Sequence, residues 1–300
     1  MPIILCLGNS TWDRIYSVEE IPSQATKYFS NQLLEVGGGV AATAAVAAAR
    51  LGARVFFAGR QGNDTVGDQI TLDFAKYNVD TRFLRKFDSV LSPSAVVHVD
   101  KRGERQITVL KDLNMPTDAA WIDETMLDGV DCVLCDCTWP EGAERILSLA
   151  RELNIETVID ADIGGEGLRK LLPLGTHVAF SHPALRDFSK TDNTEEALKI
   201  AQQFVKGTVY VTQGEKGCFW LEGGKLQHLP AYQVDVVDTT GAGDVFHGAL
   251  ALAISEKAQC VEAVRFASAT AALKCTQVGG RAGIPQKAQV LEFINNNIQE

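Results

Sequence analysis

The sequence has no apolar stretch long enough to cross a bilayer. Its alanine-rich segment Val40 to Ala49 meets Arg50 after ten residues, about half of the roughly 20 that a spanning helix needs. Nor is there an excess of basic residues: 28 Lys and Arg stand against 38 Asp and Glu, a formal charge of −10. That balance argues against broad nucleic-acid binding and against a basic, membrane-facing surface. The apolar run Ile3 to Leu7 is too short for a signal peptide, and Asp13 and Arg14 soon follow, so a cytoplasmic protein is expected. Cysteines are odd in number, seven in all, which suits a reducing compartment better than a disulfide framework. Cys132-x-x-Cys135-x-Cys137 has a zinc-like spacing. It lies in an apolar, strand-like run without a second ligand pair downstream, so these cysteines read as core residues. The five histidines show no triad or metal spacing. Gly-x-x-x-x-Gly-Lys-Ser/Thr occurs nowhere, which excludes a P-loop enzyme.

What is present is a 300-residue chain, 46% hydrophobic, able to bury one large core. Its most informative stretch runs from Val236 to Leu250. Apolar residues give way to Asp238-Thr239-Thr240-Gly241-Ala242-Gly243-Asp244, and an alanine-rich segment of helical spacing follows to Ile254. This is a loop feeding a helix N-terminus. The backbone N–H groups of Gly241, Ala242 and Gly243 would be free to face an anion, helped by the helix dipole. Asp244 puts a carboxylate in the same place. It is either the helix cap, a role aspartate fills well, or a base that takes a proton from a hydroxyl while the amides hold a transferring phosphoryl group. His247, three residues on, reads as a flanking helix position rather than a second base.

From Asp131 onward, apolar strands alternate with helical segments. They read as strands at 132–134, 157–159, 178–180 and 209–211, with helices at 141–153 and 194–204. Such alternation predicts an α/β fold whose mostly parallel sheet is covered by helices on both faces. Sites in such sheets lie beyond the strand C-terminal ends. Asp160 and Asp162 follow a predicted strand there. They either face the crevice, toward a hydrated Mg²⁺, or are loop carboxylates without a role. Residues 27–34, 94–99 and 105–110 read as strands of a separate small sheet, with a turn at Asp100-Lys101-Arg102-Gly103. Gly37-x-Gly39-x-x-Ala42 meets the spacing of a dinucleotide-binding turn. The acidic residue wanted about 20 positions on is missing from Val55 to Arg60, so an NAD-dependent oxidoreductase is the weaker alternative.

Asp238 to Asp244, followed by Phe246 and Gly248, resembles the C-terminal signature of the ribokinase-like (PfkB) carbohydrate kinases. Gly37-Gly38-Gly39 with Gly59-Arg60-Gln61-Gly62-Asn63-Asp64 and Gly67 resembles their N-terminal one. The resemblance covers nearly the whole chain, and within the family it is nearest to the sulfofructose kinases. It implies a three-layer α/β/α fold, a single domain over residues 1–300, and a small β-sheet lid drawn from about 12–35 and 93–110. It also implies an enzyme that uses ATP and Mg²⁺ to phosphorylate a hydroxyl of a ketohexose-type sugar, sulfofructose or fructose-like. The non-enzymatic alternative on the same fold is a sugar sensor that consumes no ATP.

By resemblance, Asp244 is the catalytic base and Gly241, Ala242 and Gly243 the anion hole. Asp13, Lys27, Gly38, Gly39, Thr43 and Thr138 take the substrate positions. Thr212, Gly214, Lys216, Gly217 and Ser268 line the nucleotide. Carbonyls near Asp238, Thr240, Gly279 and Gly283 could hold a monovalent cation such as K⁺. Three departures stand out. Thr43 sits where many members have asparagine. Ser181-His182-Pro183-Ala184 replaces an Asn-x-x-Glu motif that helps place magnesium. Val109 and Thr138 stand where the sulfofructose branch has an amide and a guanidinium, although Lys27 agrees with it. Sugar and ATP are the expected partners, with no nucleic acid or membrane. The strand edges of the lid could pair with a second copy.

Overall fold

Residues Ile3–Leu7 form β1, a strand near the middle of the central sheet. Its side chains alternate: Ile4 and Cys6 enter one hydrophobic core, Leu5 and Leu7 another. This period of two is what a strand covered on both faces requires. The structure, a computed structural model, describes residues 1–162 and 165–297. Chain order continues with β2 (Thr11–Val18), β3 (Ser30–Gly38), α1 (Val40–Arg50), β4 (Arg54–Gly62), α2 (Thr65–Lys76), β5 (Val79–Phe87), β6 (Ser94–Val99) and β7 (Arg105–Leu110). Next come β8 (Cys132–Cys135), α3 (Pro140–Glu152), β9 (Glu156–Ala161), α4 (Gly165–Leu171), β10 (His177–Ser181), α5 (His182–Ser189), α6 (Thr194–Gln202) and β11 (Thr208–Thr212). Last are β12 (Cys218–Glu222), β13 (Lys225–Leu229), α7 (Ala242–Ser255), α8 (Cys260–Cys275) and α9 (Lys287–Asn296).

Among the described residues, the large sheet has nine strands in the order β13-β12-β11-β10-β9-β8-β1-β4-β5. Neighbours from β11 to β5 pair in parallel, and only β12 and β13 are antiparallel additions at one edge. Residues of α1, α7 and α8 share the core of one face, and those of α3, α5 and α6 the core of the other. This is the three-layer architecture expected. Cys132 and Cys135 point into opposite cores, so the zinc-like pair cannot close on one ion. No helix among the described residues is long and apolar enough to cross a membrane.

A second sheet, in the order β3-β2-β6-β7, stands apart from the first. Its strand β3 begins at Ser30 and not at Lys27. The partner β2 is paired only as far as Val18, opposite Ser30, and the Ser30 hydroxyl bonds the Ser17 carbonyl at that irregular end. Residues 27–29 therefore have no ladder to join. At the other end Gly37 and Gly38 are still strand, antiparallel to Trp12 and Thr11. The glycine run thus leaves the small sheet, not a central parallel strand, and the dinucleotide-binding spacing lacks the β-α-β unit that gives it meaning.

Small residues set the depth of the site. A Cβ on Gly248 of α7 would strike the Ala44 carbonyl of α1 and come within 3.0 Å of the Ala47 methyl. The alanines of α1 and Gly248 let these two helices lie almost backbone to backbone. Their N-termini, at Val40 and Ala242, consequently open on the same cleft.

Candidate active site

The cleft is built at the C-terminal ends of the parallel strands. Asp136, just past β8, is buried, and its Oδ2 accepts from Ala41 N at 3.0 Å, closing the first turn of α1. Its Oδ1 accepts from Thr138 N at 2.8 Å and from the Thr138 hydroxyl. Burial pushes the Asp136 carboxyl up to about 6 against the pull of those bonds. Asn9 N donates to Thr138 Oγ1 at 3.1 Å. The Thr138 hydroxyl, expected on the sugar, donates to Asp136 and accepts from Asn9 N, which ties the end of β1 to that of β8 and leaves the hydroxyl one acceptor lone pair.

On the side of the small sheet, Asp13 of β2 accepts from Thr11 Oγ1 at 2.9 Å, and burial raises its carboxyl. Gly38 lies so close that any Cβ there would collide with the Asp13 carboxylate. Gly39 caps α1, and its carbonyl accepts from Thr43 N at 2.8 Å. Asp13, Gly38, Gly39 and Thr43 thus form one wall. Lys27 is exposed in the loop before β3.

Opposite that wall is the N-terminus of α7. Gly241 has φ +73, a backbone angle that favours glycine. A methyl there would lie 3.4 Å from Thr43 Cγ2 and 3.7 Å from Asp244 Oδ2, so that wall and the Asp244 carboxylate share a corner. Ala242 N donates to Thr239 O at 3.2 Å and is not the free anion donor expected. The N–H groups of Gly241, Gly243 and Asp244 itself find no acceptor among the described residues. Unpaired donors at a helix N-terminus are a ready anion site.

The Asp244 carboxyl is pushed up to about 8, first by burial and then by the charge of Asp160, with the nearby His247 pulling the other way. His247 is itself buried. Its Nδ1 stands 2.9 Å from Asp160 Oδ2 and its Nε2 3.2 Å from the Ala179 carbonyl. The contact with Asp160 is an ion pair more than an aligned hydrogen bond, because Nδ1 makes no bond of good geometry. Burial pulls the imidazole down, but Asp160 outweighs it and holds it up at about 9, protonated at neutral pH.

This corrects the expectation for magnesium. Asp160 is buried against His247 and does not stand open to a hydrated ion, and the exposed Asp162 accepts from Ser181 Oγ at 3.1 Å. Among the described residues, no three carboxylate, histidine or cysteine groups gather as a metal site.

A cavity of about 550 Å³ opens beside the α7 N-terminus. Thr212, Gly214, Gly217 and Ser268 line it as expected, with Ala242 and Gly243 at its inner end. Tyr232, Phe246 and Cys275 line it as well, none of them anticipated. Lys216 does not. It is exposed on the turn after β11, and its carbonyl bonds the His228 ring at 2.8 Å.

The residues expected around a monovalent cation are differently engaged. Asp238 O accepts from Lys274 Nζ at 2.8 Å, and the Asp238 carboxylate from Thr240 N, Gly279 N and Arg105 Nη2. Gly279 O accepts from Gly283 N at 3.3 Å. Arg105 reaches across from the small sheet and ties it to the glycine loop.

His247, Asp136, Lys274 and Arg281 were not anticipated in these roles. Only His247 carried a signal, its position one turn beyond Asp244. Arg281 bonds Asp73, 208 positions away, and no local pattern could reveal that.

A family model described as pfkB family carbohydrate kinase matches residues 1–287. A ribokinase of Haemophilus influenzae is 29% identical over 299 residues, covering 97% of both chains. A crystal structure from Agrobacterium tumefaciens superposes with a TM-score of 0.94 at 32% identity, covering 98% of both chains. An Arabidopsis thaliana ribokinase, solved in complex with ribose and ATP, superposes with a TM-score of 0.87 at 23% identity over 98% of each chain.

Proposed function

Because the chain belongs to the pfkB family of carbohydrate kinases, and so is an ATP-dependent sugar kinase, we propose that it carries the γ-phosphoryl group of ATP to a hydroxyl of a ketohexose-type sugar. The observation that carries this reading is the corner where Asp244 Oδ2, Thr43 and the free amides of Gly241 and Gly243 meet. ATP lies in the cavity lined by Thr212, Gly217 and Ser268, with its γ-phosphate at the α7 N-terminus. The sugar lies against Asp13 and Gly38, where a carboxylate can accept from two neighbouring hydroxyls.

Asp244 takes the proton from the attacking hydroxyl. The sugar oxygen bonds to the γ-phosphorus, the bond from that phosphorus to the β-bridging oxygen breaks, and ADP leaves. Meanwhile the amides of Gly241, Gly243 and Asp244 hold the charge on the transferring group. Magnesium supplies charge neutralisation when it arrives with ATP. With Asp160 paired to His247 and Asp162 bonded by Ser181, the nucleotide and water would be its holders on this reading. Closure of the small sheet excludes water, the competing phosphoryl acceptor. Lys27 lies on that lid and is the cation that would meet a sulfonate or phosphate on the sugar. We extend the proposal to a homodimer through the lid, whose β3 and β7 carry exposed Leu33, Ile107 and Val109.

The test is a panel of neutral and sulfonated ketohexoses and pentoses scored for sugar-dependent ADP release. A ketohexose or its sulfonated form should give the highest kcat/KM. A pentose at the head of the ranking would overturn the ketohexose assignment, and light scattering showing only monomer would remove the dimer.

A further inference from the structure

Among the described residues, Lys274 is the only lysine whose side chain is fully enclosed. Lysine rarely goes there, because its ammonium must leave water and then needs a partner. It sits in the last turn of α8, where the helix dipole favours a cation. Its Nζ lies 2.8 Å from the Asp238 carbonyl oxygen and 3.8 Å from Asp238 Oδ2. The C-terminal end of the same helix grips the same segment a second time: Cys275 O accepts from Val237 N at 2.8 Å and from Asp238 N at 3.1 Å.

An alkylammonium head and a potassium ion are similar in size and charge, and both seek carbonyl oxygens. The Asp238 carbonyl already faces one. A free cation brought to that oxygen would meet Lys274 as a like charge at contact distance, with Arg105 close on the other side of Asp238. The residues present therefore do not fit an exchangeable monovalent cation. We infer that Lys274 is the tethered counterpart of that cation, a positioning residue whose ammonium holds the Asp238 carbonyl and so fixes the loop carrying the anion-binding amides. What the loop does with an anion rests on the kinase reading; the cation question does not.

The test reads cation binding directly, without any sugar. A bound ion that recognises only the folded state raises the thermal midpoint. The full chain is melted in equal concentrations of potassium chloride and tetramethylammonium chloride, as wild type, Lys274→Ala and Lys274→Met. The wild type should melt alike in both salts. Lys274→Ala, which opens the space and removes the charge, should melt lower and gain on the order of several degrees in potassium. Lys274→Met, which fills the space, should gain nothing. A wild type stabilised by potassium overturns the inference, and so does a folded Lys274→Ala variant that ignores it. If Lys274→Ala does not fold, the wild-type arm decides alone. A chain that releases no ADP with any sugar in either salt would defeat the kinase reading and leave these melting results standing.

Discussion

His247 Nδ1 lies 2.9 Å from Asp160 Oδ2, with both side chains sealed from solvent. One turn before His247 on α7 is Asp244. A buried imidazolium at this spot does two things. It stands as the opposite charge to the Asp160 carboxylate where there is little water. It also opposes the effect of Asp160 on Asp244, which burial and that second carboxylate push toward protonation. On the proposed mechanism the base is thus tuned by a pair of side chains that are themselves sealed from solvent.

Replacing the base separates chemistry from binding. Asp244→Asn keeps the shape of the side chain but cannot accept the proton. Turnover should fall by at least about 10²-fold, the usual scale for a positioned base. ADP affinity, measured by calorimetry, should stay near that of the wild type. Near-normal turnover in this variant would remove Asp244 from the mechanism.

Activity should rise with pH across the neutral range. A base must be deprotonated to work, and the Asp244 carboxyl is held at about 8 in the free enzyme. Below that value kcat/KM for the sugar should climb about tenfold per pH unit, and above it level off. Stability moves the other way. Unfolded, this carboxyl ionises in the ordinary aspartate range, whereas folded it keeps its proton up to about 8. The stability it contributes is thus complete at low pH and lost as pH rises through that window. His247, raised to about 9, slopes in the same direction between the ordinary histidine range and that value. Asp244→Asn should therefore melt progressively higher than wild type from about pH 5 to pH 8, as a thermal series across pH will show.

Much of this site was legible before any coordinates. The glycine loop before α7 and the lid strands announce themselves through local signals: turn residues, helical spacing, alternation. Asp13 and Gly38 meet through the pairing of β2 with β3, and Thr43 joins them where its N–H bonds the Gly39 carbonyl. What local pattern could not carry are contacts between distant segments that share no periodicity. Thr138 carries no local sign that in space its hydroxyl donates to Asp136 and accepts from Asn9 N. Ala242 looks like an anion donor, yet a turn closes on Thr239 first. Lys216 looks like a phosphate cation, yet the turn after β11 carries it away from the cavity. Asp160 looks like a metal ligand because the histidine that claims it is 87 positions on, arriving by way of a helix packed under the sheet.

Removing the His247 charge should shift the base without removing it. In His247→Gln the pull that lowers Asp244 disappears, so the rise of kcat/KM should move to higher pH, with rates converging on the wild type at alkaline pH. A merely structural defect would instead lower the rate by the same factor at every pH. Parallel profiles for the two proteins would count against the tuning role.

Lys27 should distinguish a charged substrate from a neutral one. It is exposed on the lid, so Lys27→Ala should leave the melting midpoint alone. With a sulfonated or phosphorylated sugar KM should rise by about tenfold or more while kcat holds, as loss of uniform binding predicts. With a neutral sugar both constants should stay put. Equal effects on the two would mean that Lys27 does not read the charge.

The loop after α8 is fastened by Arg281 to the wall proposed for the sugar, and on that proposal stability and substrate affinity meet here. Its Nη1 donates to Asp73 Oδ2 at 2.6 Å and its Nη2 to the Gly38 carbonyl at 2.7 Å, with the guanidinium lying over the Phe74 ring. Both charged side chains are nearly sealed from water. Arg281→Met keeps the packing on Phe74 but leaves the buried Asp73 carboxylate only the exposed Lys76 ammonium, 3.4 Å from its Oδ1, and breaking a buried pair costs up to about 3–5 kcal/mol. Arg281→Met with Asp73→Leu removes both charges and should recover much of that loss in a urea titration. The Gly38 carbonyl stays unanchored in both variants. KM for the sugar should therefore stay raised in the double variant even where its stability returns. Recovery of KM along with stability would show that Arg281 serves the fold alone and does not hold the Gly38 strand against the substrate.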